Sequence, residues 1–344
     1  MTATSPPTHR IDGVVSAVDY HTAGEPFRIV TGGVPTLEGA DVPARCRYAA
    51  DHLDHVRRLL VNEPRGHADM YGCFVTAPDD DDGDLGVVFF HNAGYSTACG
   101  HGTIALVTWA LETGVIPVAG EQTTVVVDTP SGRVHASARC ADGRVTAVRF
   151  TNVPSFVVAT GMAVAVRGRS LTVDIAFGGA FYAVVDAAAV DCAVEVHDLP
   201  RLIQLGRDIK TAVEASREVV HPLAGHLRDI YGAIFVDSTQ SNGDGLRQRN
   251  VAVFADGEVD RSPTGSGVSA RLALLDAAGV LPRGADLTTT GLAGLDFVGR
   301  VVADAWVADR PAVITDVEGS AYRTGTHEFT LDPSDPLATG FLLR

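Results

Sequence analysis

The stretch Cys99-Gly-His-Gly-Thr-Ile-Ala105, running on to Gly114-Val-Ile-Pro117, occurs a second time in the chain. It aligns without gaps onto Thr264-Gly-Ser-Gly-Val-Ser-Ala270, ending in Gly279-Val-Leu-Pro282, with six of 19 columns identical. The offset is 165 residues here, 160 for Asp69-Met-Tyr-Gly72 on Asp229-Ile-Tyr-Gly232, and 154 for Gly24-Glu-Pro-Phe-Arg-Ile-Val30 on Gly178-Gly-Ala-Phe-Tyr-Ala-Val184. Slowly growing offsets in constant order are what duplication followed by loop insertion leaves behind. The chain therefore reads as two pseudo-symmetric halves.

Working outward, both copies at 100–113 and 265–278 are apolar nearly all round, the pattern of helices buried on every side. Each has glycine where a left-handed cap belongs and proline three residues beyond it. A further helix is expected at about 49–60, where Leu53, Val56 and Leu60 repeat at helical spacing, and another at about 199–220. Runs rich in β-branched and aromatic residues predict strands at Val87–His91, Thr123–Asp128, Arg144–Phe150, Ala180–Asp186, Ala233–Val236 and Val251–Ala255. The acidic segment Asp79–Asp84 and the polar stretch Ser238–Arg249 read as hairpin loops. The expected fold class is α/β (α+β): two domains, 1–155 and 156–344, each a curved mixed sheet around one buried helix, with the active site in the cleft between them. The last strand is the one free to return to the first domain.

Lys plus Arg number 27 against 42 Asp plus Glu, a net charge of -15, which argues against a nucleic-acid partner. An apolar fraction of 46% excludes a disordered chain. No run approaches the ~18 apolar residues of a membrane span. The opening MTATSPPTHRID has no charged start followed by an apolar run, so it reads as a disordered lead-in rather than a signal peptide. Five cysteines without a CxxC pair point to reduced thiols and a cytoplasmic location. A homodimer is compatible with all of this.

A buried helix opening Gly-x-Gly leaves backbone N–H groups unpaired at its positive end, a ready site for a small anion. Two such starts pointing at one cleft would grip a single carboxylate. Immediately before them stand Cys99 and Thr264, on opposite faces of whatever is held. A helix-start cysteine is expected to have its thiol lowered from about 8.5 toward neutrality and to act as a base. Threonine can donate a hydrogen bond but does not exchange protons freely. His101, two positions past Cys99, is not expected to couple directly with it, because i and i+2 do not share a helix face. It is expected to reach the substrate instead. Asp260 enters the second helix on Asp260-Arg-Ser-Pro263 and is placed to hold a cationic amine. Carboxylate clamp plus amine clamp means an amino acid. Cys46, Cys73, Cys140 and Cys192 read as small hydrophobes. A zinc site from His91, Cys99 and His101 is disfavoured for want of ligand-pair spacing, as is calcium at Asp79–Asp84.

The segments Asn92-Ala-Gly-Tyr-Ser-Thr-Ala-Cys-Gly-His-Gly102, Asp260-Arg-Ser-Pro-Thr-Gly-Ser-Gly267, His21-Thr-Ala-Gly-Glu-Pro26 and Arg65-Gly-His-Ala-Asp-Met-Tyr-Gly72 resemble the proline racemase family. That family includes proline racemases, 4-hydroxyproline 2-epimerases and trans-3-hydroxy-L-proline dehydratases. The resemblance implies a diaminopimelate-epimerase-like fold, no cofactor and no metal. It implies that Cys99 takes the place of one catalytic thiol. Thr264 stands where the racemases have the second, the pattern associated with the dehydratases. It also implies substrate contacts from Gly100, His101, Asp260, Gly265 and Ser266. The expected reaction is removal of the α proton by Cys99, loss of the 3-hydroxyl, and tautomerisation of the enamine to Δ1-pyrroline-2-carboxylate. A 4-hydroxyproline 2-epimerase or proline racemase is the alternative enzyme. A non-catalytic amino-acid binding protein is the alternative of another class.

Overall fold

The computed structural model describes residues 13–343 apart from residues 238 and 244. The lead-in MTATSPPTHRID lies outside the described residues. Five α-helices occur among those described: α1 (Val42–His52), α2 (Asp54–Val61), α3 (Gly100–Glu112), α4 (Leu199–Ser216) and α5 (Gly265–Ala277). Around them nineteen strands join into one mixed sheet system.

Helix α3 is buried on all sides from Gly100 to Leu111, and α5 from Gly265 to Ala270 and again from Leu272 to Leu275. Full burial of Ile104, Leu106, Val107 and Leu272 contributes roughly 1.5–3 kcal/mol each. Each helix closes as its sequence requires: Gly114 and Gly279 adopt φ of 75° and 64°, the left-handed conformation that ends the turn. Strands Arg144–Thr151, Val15–Thr22 and Ala321–Phe329 pack on α3. Those on α5 are Phe156–Val166, Arg169–Phe177, Asp296–Val307 and Arg310–Gly319. Strand Arg310–Gly319 pairs with both Asp296–Val307 and Arg144–Thr151, which makes the system continuous. The chain's last strand, Ala321–Phe329, lies antiparallel on its first, Val15–Thr22.

All six predicted strands are present, with ends shifted by a few residues. Asp79–Asp84 is the loop of a hairpin between Tyr71–Thr76 and Leu85–His91. Two expectations need correction. The helix expected at about 49–60 is two helices broken at Leu53, whose ψ of 10° leaves the helical register while its side chain stays buried. The first of them starts earlier, where Asp41 accepts from the Ala44 N–H at 2.7 Å and a proline occupies the first turn. The described residues of the stretch Ser238–Arg249 are largely strand: Gln240–Asn242 pairs antiparallel with the start of Gly245–Phe254, whose Leu246–Arg249 run parallel to Leu287–Thr290. Its polarity reflects half-exposed strand positions rather than a loop. Helix α4 ends at Ser216, four residues before the expected limit.

Candidate active site

Cys99 is the N-cap of α3. Its backbone is extended (φ −149°, ψ 101°), and its Sγ accepts the N–H of Gly102 at 3.2 Å. Glycine is required at 102, because a Cβ there would lie 2.7 Å from that sulfur and 2.4 Å from the Phe27 ring. Gly100 answers a different demand. A Cβ on it would fall 2.6 Å from the Cα of Gly265, and one on Gly265 would fall 2.8 Å from the Cα of Gly100. The two helix starts touch backbone to backbone. Residues 165 apart in sequence thus become neighbours, and so do residues 160 apart, since the Tyr71 and Tyr231 hydroxyls lie 2.9 Å from each other.

From the thiol a polar chain crosses this contact. Cys99 Sγ lies 3.3 Å from His101 Nε2 and 3.6 Å from Nδ1, and His101 Nδ1 lies 3.5 Å from Asp260 Oδ2. Thr264 Oγ1 donates to the same Asp260 oxygen at 2.9 Å, and Ser262 N–H donates to Asp260 Oδ1 at 2.8 Å. The direct Cys99–His101 contact overturns the sequence expectation. The i, i+2 rule applies when both residues are helical, and Cys99 is a cap whose extended backbone swings its side chain over the first turn.

Thr264 caps α5 differently from its counterpart. It sits at φ 59°, ψ 92°, a region that a β-branched residue occupies at a cost of roughly 1–3 kcal/mol, and its side chain makes no capping bond. Its N–H instead donates to Ser262 Oγ at 3.1 Å. The hydroxyl is thereby turned onto Asp260. Ser266, in the first turn of α5, shares a hydrogen bond of 2.7 Å with the Tyr182 hydroxyl.

Electrostatics at the thiol also differ from expectation. Burial raises Cys99 well above the ordinary thiol range, the Asp260 carboxylate raises it further, and the Gly102 N–H only partly opposes them. In a closed cavity, loss of water outweighs the helix start. Burial would raise the Asp260 carboxyl too, but His101, Ser262 and Thr264 hold it below the usual range. Behind Asp260 lies Glu25, fully buried and pushed well up by burial and by Asp260 itself. Its Oε2 accepts from the backbone N–H of Arg261 at 2.7 Å and from Arg261 Nη1 at 3.2 Å, so the first hairpin grips the segment that carries Asp260.

A small cavity is lined by Cys99, Gly100, His101, Asp260, Thr264 and Ser266 together with Tyr71, Tyr182, Tyr231 and Phe254. Six of the seven residues singled out in the sequence converge there, and Gly265 backs the cavity through its contact with Gly100. Sequence reasoning missed the three tyrosines, Phe254 and Glu25. Tyr71 and Tyr231 had a signal, because both lie in segments that match between the two halves. Among the described residues no three His, Cys, Asp or Glu side chains are arranged to hold a metal. The other four cysteines are free thiols, Cys73 and Cys192 buried, Cys46 and Cys140 partly so.

A family model described as proline racemase matches residues 17–342. The chain belongs to the proline racemase family. Among its relatives, a protein of Bacillus thuringiensis subsp. konkukian named trans-3-hydroxy-L-proline dehydratase is 44% identical over 334 residues, covering 97% of this chain and 99% of the relative. A Burkholderia multivorans protein named 3-hydroxyproline 2-epimerase is 43% identical over 336 residues, covering 97% of this chain and all of that one (100%). The family resemblance extends to solved structures. A hydroxyproline epimerase from Agrobacterium vitis with bound trans-4-hydroxy-L-proline superposes with a TM-score of 0.89 at 30% identity, covering 96% of each chain. The mixed α/β fold is therefore that of the proline racemase family, and no helix among the described residues is long and apolar enough to cross a membrane.

Proposed function

We propose that the chain is a trans-3-hydroxy-L-proline dehydratase, a hydro-lyase that releases Δ1-pyrroline-2-carboxylate. Full-length relatives at 44% identity carry that name. The observation that carries the reading on this chain is the pair at the two touching helix starts: one cavity, a thiol on one cap and a hydroxyl on the other.

The substrate carboxylate is received by the first-turn N–H groups of α3 and α5, at Gly100, His101, Gly265 and Ser266. Asp260 and His101 take the ring nitrogen. Ammonium beside Asp260 offsets the negative charge that raises Cys99, so binding itself brings the thiol closer to its basic form. Cys99 then removes the α proton, and the helix starts stabilise charge growing toward the carboxylate. Thr264 has no low-lying proton to deliver to the opposite face, so the carbanionic species loses its 3-hydroxyl instead of inverting. The enamine tautomerises to the cyclic imine, and no cofactor is called for.

A second enzyme reading, hydroxyproline 2-epimerisation, has the Burkholderia multivorans relative in its favour. Incubation with trans-3-hydroxy-L-proline in deuterium oxide separates the two: dehydration yields imine with loss of one water, epimerisation yields α-deuterated, inverted hydroxyproline. Recovery of inverted amino acid without imine overturns the dehydratase reading. Inertness toward every hydroxyproline would favour a non-catalytic binder. The halves 1–155 and 156–344 form two pseudo-symmetric domains of the diaminopimelate-epimerase-like kind with the cavity between them, the last strand, Ala321–Phe329, returning to the first, in a cytoplasmic protein that works on a free amino acid.

A further inference from the structure

Dehydration needs an acid for the departing hydroxyl as well as a base for the α proton. The identity of that acid rests on the dehydratase reading and deepens it. In trans-3-hydroxy-L-proline the 3-hydroxyl is trans to the carboxylate, and the α hydrogen is the other substituent at C2. The hydroxyl and the α hydrogen therefore share one face of the ring. If Cys99 takes the hydrogen, the leaving oxygen also points to the Cys99 side. Thr264 caps the opposite helix, and its O–H is already directed onto Asp260 Oδ2 at 2.9 Å. It is on the wrong face with its proton committed.

His101 is near the thiol, but its nitrogens lie 3.3 and 3.6 Å from Sγ and its Nδ1 3.5 Å from Asp260, which ties it to that chain. Beyond it stands Tyr71, whose ring meets the His101 ring edge-on at 4.9 Å, with its hydroxyl 2.9 Å from that of Tyr231. Both rings line the cavity. Tyr71, packed on His101, belongs to the half that carries Cys99, and the Tyr231 hydroxyl reaches it from the other half.

We propose that the Tyr71–Tyr231 hydroxyl pair receives the substrate's 3-hydroxyl and supplies the proton with which it leaves. The C2–H bond breaks with its proton going to Cys99 Sγ, its electron pair forms C2=C3, and the C3–O pair departs with oxygen, which takes a phenol proton to leave as water. The phenolate is held by the hydroxyl of its partner and regains a proton from the Cys99 thiol through solvent once product leaves, so one water is released and the enzyme is restored. Burial raises both phenols, which keeps them protonated and able to donate at neutral pH. The pair joins residues from both repeats, so the acid is assembled only where the two halves meet.

The test compares wild type with Tyr71→Phe, Tyr231→Phe and the double variant, each of which keeps the ring packing on His91 and Phe254. Two rates are read: imine formation from trans-3-hydroxy-L-proline, and α-hydrogen exchange of L-proline in deuterium oxide, which needs Cys99 but has no leaving group. The expected result is a fall in kcat for imine formation of about 10²-fold or more in the double variant, the scale of general-acid catalysis, with proline exchange near wild type. Wild-type kcat in the double variant overturns the proposal, and so does an equal fall in both rates, which would mark the pair as structural. Imine formation from cis-3-hydroxy-L-proline at a comparable rate would overturn the shared-face assignment. A wild-type enzyme that makes no imine at all would sink the dehydratase reading, and this assignment with it.

Discussion

Substituting Gly100 by alanine removes no chemical group from the cavity, yet it should disable the enzyme. The new Cβ would stand 2.6 Å from Gly265 Cα, 3.0 Å from Phe150 Cζ and 3.1 Å from the Gly265 carbonyl carbon, where ordinary contact is 3.4–4 Å. The obstacles are backbone and a packed ring, so relief requires the helix starts to part by roughly 1 Å. A displacement of that size between base and substrate costs about 10²-fold in rate. Overpacking costs about 1–3 kcal/mol of stability. The control lies at the other end of the same helix. Gly114 has φ 75° and no atom within 4 Å of an added methyl, so Gly114→Ala costs only the left-handed penalty, about 1–2 kcal/mol. The two variants should melt similarly below wild type, and only Gly100→Ala should lose kcat/KM for dehydration. Full activity in Gly100→Ala, or equal losses in both, would refute the idea that touching helix starts set the catalytic distance.

Cys99→Ser should lower dehydration at least about 10²-fold, because the serine hydroxyl is a far weaker source of base at neutral pH; retained activity in a steady-state assay would remove Cys99 from its role. Thr264→Cys should introduce exchange on the second face, read as D-proline from L-proline with deuterium at the α carbon, and none would argue that the caps do not face one another across the substrate. Because Cys99 is raised, its basic form grows with pH, so kcat/KM should climb through neutrality and beyond the ~8.5 of a free thiol; a plateau below pH 7 contradicts the role of burial. Stability carries the same signs in denaturant titrations. The raised Cys99 contributes most below ~8.5 and loses its share as pH rises, whereas the lowered Asp260 contributes above ~3.9 and loses its share as pH falls through its folded value.

The repeat made α3, α5 and their glycine caps legible, because Gly-x-Gly and a closing glycine answer local backbone demands that sequence records directly. Strand ends at Val87–His91 and Arg144–Phe150 were legible for the same reason, since alternation and β-branching are local. What escaped depends on contacts distant in sequence. The Cys99–His101 contact follows from an extended cap residue, which helix-face counting does not describe. The rise of the Cys99 thiol follows from a closed cavity and from Asp260, 161 positions away. Arg247–Arg249 look like loop until Leu287–Thr290 supplies a partner strand. Leu53, Val56 and Leu60 do share a buried face, but periodicity alone did not show the break at Leu53.

Strand Val15–Thr22 has Glu25–Gly32 on one edge and Ala321–Phe329 on the other. The second partner follows about 300 residues later in the chain, so a ribosome must emit all of that length before the edge is covered. During synthesis, Val15–Thr22 is an open edge available to other nascent chains, and closing it spans roughly 300 residues, the kind of nonlocal step that slows folding. A fragment ending near residue 155 would keep that exposed edge permanently and should aggregate, so neither repeat is expected to survive as an independent unit.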